Sequence, residues 1–203
     1  MSRQRGRPRK YDAQTALQAA GEVFWAQGFS GTSLDDLSTA MGMNRPSIYR
    51  AFGDKEAIYR LALAQFTRQM EEGFSRTVLH EPDLRSGLRK FYRAALEVYS
   101  TGNAALGCMV MCTAPAASVV KPNVQSDLLE VIEQLDARIL GRVELAVEQG
   151  EISEVADART LSMLIQAVLH SLAIRVRAGE SKASLRRFAD AAIVTVLGEI
   201  QEA

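Results

Sequence analysis

The residues best suited to chemistry with a partner lie in one run, Thr32 to Glu56, TSLDDLSTAMGMNRPSIYRAFGDKE. Arg45 and Arg50 supply guanidinium groups that can reach phosphates or guanine edges, and Ser47 can donate to either. Asn44 can cap a helix and touch a nucleic-acid backbone. Tyr49 offers a phenolic hydroxyl on an otherwise packable ring. Lys55, in the first turn of a following helix, can pair with a phosphate beside free backbone amides. A catalytic constellation is missing: the chain holds no HExxH, no G-x-S-x-G and no phosphate-binding glycine loop. Its two histidines, His80 and His170, and its two cysteines lack zinc-ligand spacing. The chemistry on offer is recognition of a polyanion.

Short helices must position these groups. Leu34, Leu37 and Met41 recur at helical spacing, and Ser33 with Asp36 makes a capping box at the start. Gly42 breaks this helix and can take a positive φ without steric cost. Asn44 then caps a second helix, with Pro46 in its first turn, where a missing amide hydrogen costs little. Ile48 and Phe52 face its buried side, leaving Arg45, Ser47 and Arg50 on other faces. Two short helices around a glycine turn form the helix-turn-helix pattern. A preceding helix, capped by Asp12, runs to about Gln27 on Ala16, Leu17, Ala20, Val23 and Phe24 and stops at Gly28.

Ahead of it, MSRQRGRPRK carries five basic residues and no acid, which describes a disordered basic arm. Its Arg5-Gly6-Arg7-Pro8 resembles the core of an AT-hook, whose arginines enter narrow A·T minor grooves, where negative potential is concentrated. The alternative for Arg5 and Arg7 is nonspecific phosphate contact. The net charge of zero hides a gradient: residues 1–60 hold nine Lys/Arg against six Asp/Glu, giving +3, and residues 61–203 hold fifteen against eighteen, giving −3. The basic part is the part with the helix-turn-helix, as backbone binding requires. With no secretory signal and no apolar run of membrane-spanning length, the expectation is a cytoplasmic chain without membrane or cofactor.

The combined pattern of Phe24, Gly28-Phe29, Thr32-Ser33, the helix-turn-helix, Tyr49, Phe52 and Lys55-Glu56 resembles the DNA-binding domain of the TetR family of bacterial transcriptional repressors. The match covers about Ala13 to Ala64. Ser38, where a small apolar residue is usual, and Ala51, where an aromatic or histidine is common, depart from the pattern. The resemblance implies an all-α chain with a basic arm (1–10), an N-terminal three-helix helix-turn-helix DNA-binding domain (11–56) and a helical ligand-binding and dimerisation domain (57–203). It implies phosphate contacts from Thr32 and Tyr49. The implied function is a homodimeric repressor on palindromic operator DNA, released by a small apolar or amphipathic effector. An architectural DNA binder, or a regulator sensing through thiols, remains the alternative.

Beyond the head the periodicity predicts helices over about 54–79 (Ile58, Leu61, Phe66, Met70, Phe74), 83–99 (Leu84, Leu88, Phe91, Tyr92, Tyr99), 104–114, 125–148, 157–178 and 182–199, with a turn at Thr101-Gly102-Asn103. Pro115 and Pro122 restrict continuation of the low-polarity stretch. By the resemblance that stretch lines an effector cavity, making Leu106, Cys108, Met109, Met111 and Cys112 candidates with Phe91, Tyr92 and Tyr99; plain core packing is the competing reading. Cys108 and Cys112 can share a helix face, and buried apolar cysteine is their default. Ile165 and Leu169 in the penultimate helix, and Val196 in the last, are expected on wide apolar faces that the resemblance assigns to a four-helix dimer interface.

Overall fold

The structure, a computed structural model, describes residues 12–101, 104–152 and 157–198, and every regular element among them is helical. It divides into two compact units, one ending at Ala64 and the other beginning at Gln65. The arm with Arg5 and Arg7 and the Gly102-Asn103 turn lie outside the described residues.

In the first unit, α1 (Ala13–Gly31) starts at Asp12, whose carboxylate accepts from the Gln14 and Thr15 amides. Regular winding breaks at Gly28, but one further turn follows to Gly31. Helix α2 (Leu34–Met41) opens with the expected reciprocal Ser33–Asp36 box. Gly42 closes it in the left-handed region at φ 63°, ψ 30°, a conformation that lets the chain turn sharply into the next helix. Ser38, the unusual residue, has a use here: its hydroxyl donates to the Met43 carbonyl at 2.5 Å and fastens the turn. Helix α3 (Arg45–Phe52) is capped by Asn44, which accepts from the Ser47 amide at 2.9 Å. The unit's core is aromatic: Phe24 and Phe29 both lie against Tyr59, at ring separations of 5.0 and 5.2 Å.

Helix α4 (Lys55–Phe74) begins in the first unit and ends in the second. Winding persists to Leu79, as expected, but from Ser75 it widens to π-helical hydrogen bonding. The second unit continues with α5 (Leu84–Tyr99), α6 (Met109–Ser118), α7 (Pro122–Glu148), α8 (Ala158–Arg177) and α9 (Lys182–Leu197). Helix α8 packs on α5, α6, α7 and α9, and α5 also packs on α9. Ion pairs Arg89–Asp190, Arg93–Asp190, Lys182–Glu97 and Arg186–Glu97 run along the α5–α9 seam.

Two expectations need correction. Residues 104–108 are not helical. Gly107 sits at φ 69° against α8, and a Cβ there would lie 2.3 Å from the Ala173 carbonyl oxygen. The Leu106 and Gly107 amides instead both donate to the Tyr99 carbonyl, so the helix starts only at Met109, with Cys108 as its N-cap. It then runs through Pro115, whose side is exposed, rather than ending before it. Pro122 does not delay α7 but opens it, three residues earlier than Gln125, because the first turn needs no amide donor.

Candidate functional site

Helix α3 turns Ile48 fully into the core and leaves Asn44, Arg45, Tyr49 and Arg50 exposed, with Ser47 half-buried. The two arginines differ. Arg45 is held by Asp35 of α2, through Nε at 3.0 Å and a second nitrogen at 2.6 Å. Arg50 makes no side-chain hydrogen bond or ion pair among the described residues. Thr32 and Lys55 have partners within the chain. Thr32 is buried, with its hydroxyl donating to the Gly28 carbonyl at 2.8 Å. The Lys55 ammonium donates to the Thr32 carbonyl at 2.7 Å and sits 4.4 Å from the centre of the Phe29 ring. Both are engaged in holding the start of α4 to the end of α1, which a sequence reading by type alone misses.

The second unit encloses an apolar cavity of about 50 Å³. Its wall takes Phe66, Thr67, Met70 and Glu71 from α4, Phe91 and Tyr99 from α5, and Cys108, Val110 and Met111 from the α6 start. Val131, Ile132 and Leu135 of α7 and Gln166, Leu169 and His170 of α8 complete it. Of the candidates, Phe91, Tyr99, Cys108 and Met111 are brought together here. Tyr92, Leu106, Met109 and Cys112 are not. Tyr92 is buried and donates to the Ile165 carbonyl at 2.8 Å; Met109 is core. Leu106 accepts from Arg177 through its carbonyl, and the Cys112 thiol faces the Ala173 carbonyl instead. Leu169, expected at a subunit interface, is buried within its own chain and lines the cavity, as Ile165 is buried beside it. Gln166 and His170, polar residues four apart inside an apolar stripe, were the available signal for this wall.

Burial sets the electrostatics. It pushes the Cys108 thiol up to about 11 and the Tyr99 phenol well above its ordinary range, the two groups lying side by side. Burial also raises the Cys112 thiol, partly opposed by Arg177, and lowers His170 so that its imidazole is neutral near pH 7. The Thr67 hydroxyl is buried without a hydrogen-bond partner. No group of three or more His, Cys, Asp or Glu among the described residues is placed to hold a metal ion.

The helix-turn-helix head and helical body agree with known proteins. Residues 16–62 match the family description "Bacterial regulatory proteins, tetR family", and residues 85–192 match "Tetracyclin repressor-like, C-terminal domain". The chain belongs to the TetR family. As a TetR-family protein it is a DNA-binding transcription regulator and not an enzyme. It is 24% identical over 190 residues to the HTH-type transcriptional repressor ComR of Escherichia coli K12, covering 93% of this chain and 90% of that one. Over 110 residues it is 28% identical to the repressor BdcR of the same organism, covering 54% and 56%. A cysteine variant of the TetR family regulator CifR, solved with 26-base-pair operator DNA, superposes with a TM-score of 0.83 at 28% identity, covering 93% of this chain and 98% of that one. No helix among the described residues of this TetR-family chain is long and apolar enough to cross a membrane.

Proposed function

We propose that the protein is a homodimeric repressor that reads a palindromic operator through α3 and is released by a small, mostly apolar effector in the second-unit cavity. The observation carrying this reading is the face of α3, which buries Ile48 and presents Asn44, Arg45, Tyr49 and Arg50 outward from a capped, fastened turn. CifR, similar over nearly the whole chain, was captured on operator DNA. One α3 reads few base pairs; two-fold symmetry doubles the contacts. Helix α8 offers a stripe for pairing, since Met163, Leu164 and Ile174 lie about half exposed on one face while Leu161, Ile165, Leu169 and Leu172 are buried. The dimer surface is thus the outer face of α8 rather than Leu169.

The cavity is contracted. Its roughly 50 Å³ compares with the ~10–15 Å³ that one water occupies, so any effector must displace flexible side chains such as Met70 and Met111. Four wall residues sit on α4, whose first turns belong to the head. A ligand that moves them acts on the helix that carries Lys55 and Tyr59. It induces only if it prefers the form that binds DNA less well.

Selection from random duplexes, followed by sedimentation of the complex, tests this reading. The expected result is enrichment of a two-fold symmetric sequence bound by pairs of chains, with Ile174→Glu leaving a folded monomer of low operator affinity. Failure to enrich any sequence, or a folded dimer from Ile174→Glu, would overturn the corresponding part.

A further inference from the structure

We propose that the cavity and an arginine-lined groove beside it form one two-part site for an amphipathic organic anion, with its chain in the cavity and its carboxylate on Arg138 and Arg68. The proposal rests on the effector reading above and names the chemical class it takes. The groove, about 480 Å³ and open to solvent, is lined by Arg68, Glu71, Glu72, Ser75, Arg76 and Arg138. Glu71 lines both spaces, so they share a wall. The sharing repeats on α7, where Leu135 faces the cavity and Arg138, about one turn on, faces the groove. Ser75, where winding widens to the π form, continues the side of the groove that α4 supplies.

Charge decides which head group fits. The groove holds three arginines against two glutamates. Glu71 meets Arg138 at 3.4 Å and Glu72 meets Arg76 at 3.8 Å, while Arg68 makes no ion pair among the described residues. Inside the cavity the polar groups are the Thr67 hydroxyl, the Tyr99 phenol, the Cys108 thiol, the Gln166 amide and the neutral His170, with Glu71 on the wall shared with the groove; none of them is a cation that offsets a buried carboxylate. An anionic head must therefore stay at the mouth, where a guanidinium can take both its oxygens. The Glu71–Arg138 pair is partly solvated, with side chains 26% and 40% exposed, so exchanging Glu71 for a ligand carboxylate costs little. Glu71 then turns to water. A cationic head would meet three guanidiniums, and a neutral head would gain nothing from them.

Calorimetry of the full chain with octanoate, octanol and octyltrimethylammonium tests the assignment. Octanoate should bind about tenfold or more tightly than octanol. Arg138→Gln should bring octanoate down to the octanol level without changing octanol, whose retained binding also reports an intact cavity. Glu71→Gln, which removes the competing carboxylate, should tighten octanoate severalfold. Equal binding of octanol and octanoate would remove the head-group assignment while leaving the effector cavity standing. Preference for octyltrimethylammonium would overturn the charge assignment outright. Binding of neither octanoate nor octanol would remove this proposal together with the cavity reading beneath it.

Discussion

Arg45 in the first unit and Arg142 in the second each meet a carboxylate, and the two pairs are built for opposite ends. Arg45 and Asp35 are both more than half exposed, joining α2 to α3 on the outside. Arg142 and Glu151 lie 2.8 Å apart at 3% and 11% exposure, and Glu151 also accepts the Leu84 amide at 2.6 Å. One carboxylate thus ties the end of α7 to the start of α5. In the head, charge stays at the surface where a partner can compete for it. At Arg142 and Glu151 of the body, charge is withdrawn from water and joins elements distant in sequence.

The widest separation between the two should appear on unfolding. Glu151→Ala leaves a buried guanidinium and a helix-start amide without their acceptor, and should cost about 3–5 kcal/mol. Asp35→Ala removes a solvated partner and should leave the urea midpoint unchanged. A double replacement, Arg142→Met with Glu151→Leu, should recover much of the loss, because apolar groups leave no charge stranded. A loss for Glu151→Ala no larger than that for Asp35→Ala would erase the distinction.

The same contrast explains how much could be read beforehand. The head's devices are local: the Ser33–Asp36 box, Gly42, the Asn44 cap and the Ile48 register all sit within a few residues of what they control. The contacts of Lys55 and Thr32 within the chain were not legible, since a lysine over Phe29 and a lysine on a phosphate look alike in sequence. In the body the helix stripes were legible, but their partners were not. The cavity joins residues from Phe66 to His170, and Gly107 blocks an early start to α6 only because Ala173 lies against it. Glu151 carries no local sign of its role, because its partner Leu84 lies 67 residues before it in sequence.

On DNA the exposed pair should matter where the buried one does not. Arg50, which has no side-chain hydrogen bond or ion pair among the described residues, should lower discrimination between selected and scrambled duplexes about tenfold or more when replaced by Ala. Arg45→Ala should lower it less, because part of its charge is already committed to Asp35. Asp35→Ala sharpens the point: freeing Arg45 should raise affinity for scrambled DNA and steepen its salt dependence. Equal losses on selected and scrambled DNA for Arg50→Ala would move that residue from bases to phosphates.

A smaller effect is expected from acid. Burial lowers the His170 pKa, so the folded body refuses a proton that the unfolded chain accepts near the ordinary histidine value of ~6.5. The unfolded state then binds more protons, and stability contributed by neutral His170 is full above that value and lost as pH falls below it. His170→Gln should flatten the decline in melting temperature between about pH 7 and 5. An unchanged decline in the His170 variant would assign the acid sensitivity to other groups.

The smallest change is expected at the cysteines, and it decides between two kinds of sensing. Cys108 lines the cavity, where a reactive thiol would meet an effector directly. Yet burial holds that thiol at about 11, so almost none is thiolate at neutral pH, and thiolate is the form that attacks. Cys112 is less buried, but its thiol is also raised and it lies away from the cavity wall. Serine is a favoured N-cap, so Cys108→Ser and Cys112→Ser should each fold normally and keep operator affinity. Both should also keep their effector response, read as release of labelled operator duplex by octanoate. Release of operator from the parent chain by a thiol oxidant such as diamide, lost in Cys108→Ser while release by octanoate is kept, would make thiol chemistry a trigger in its own right.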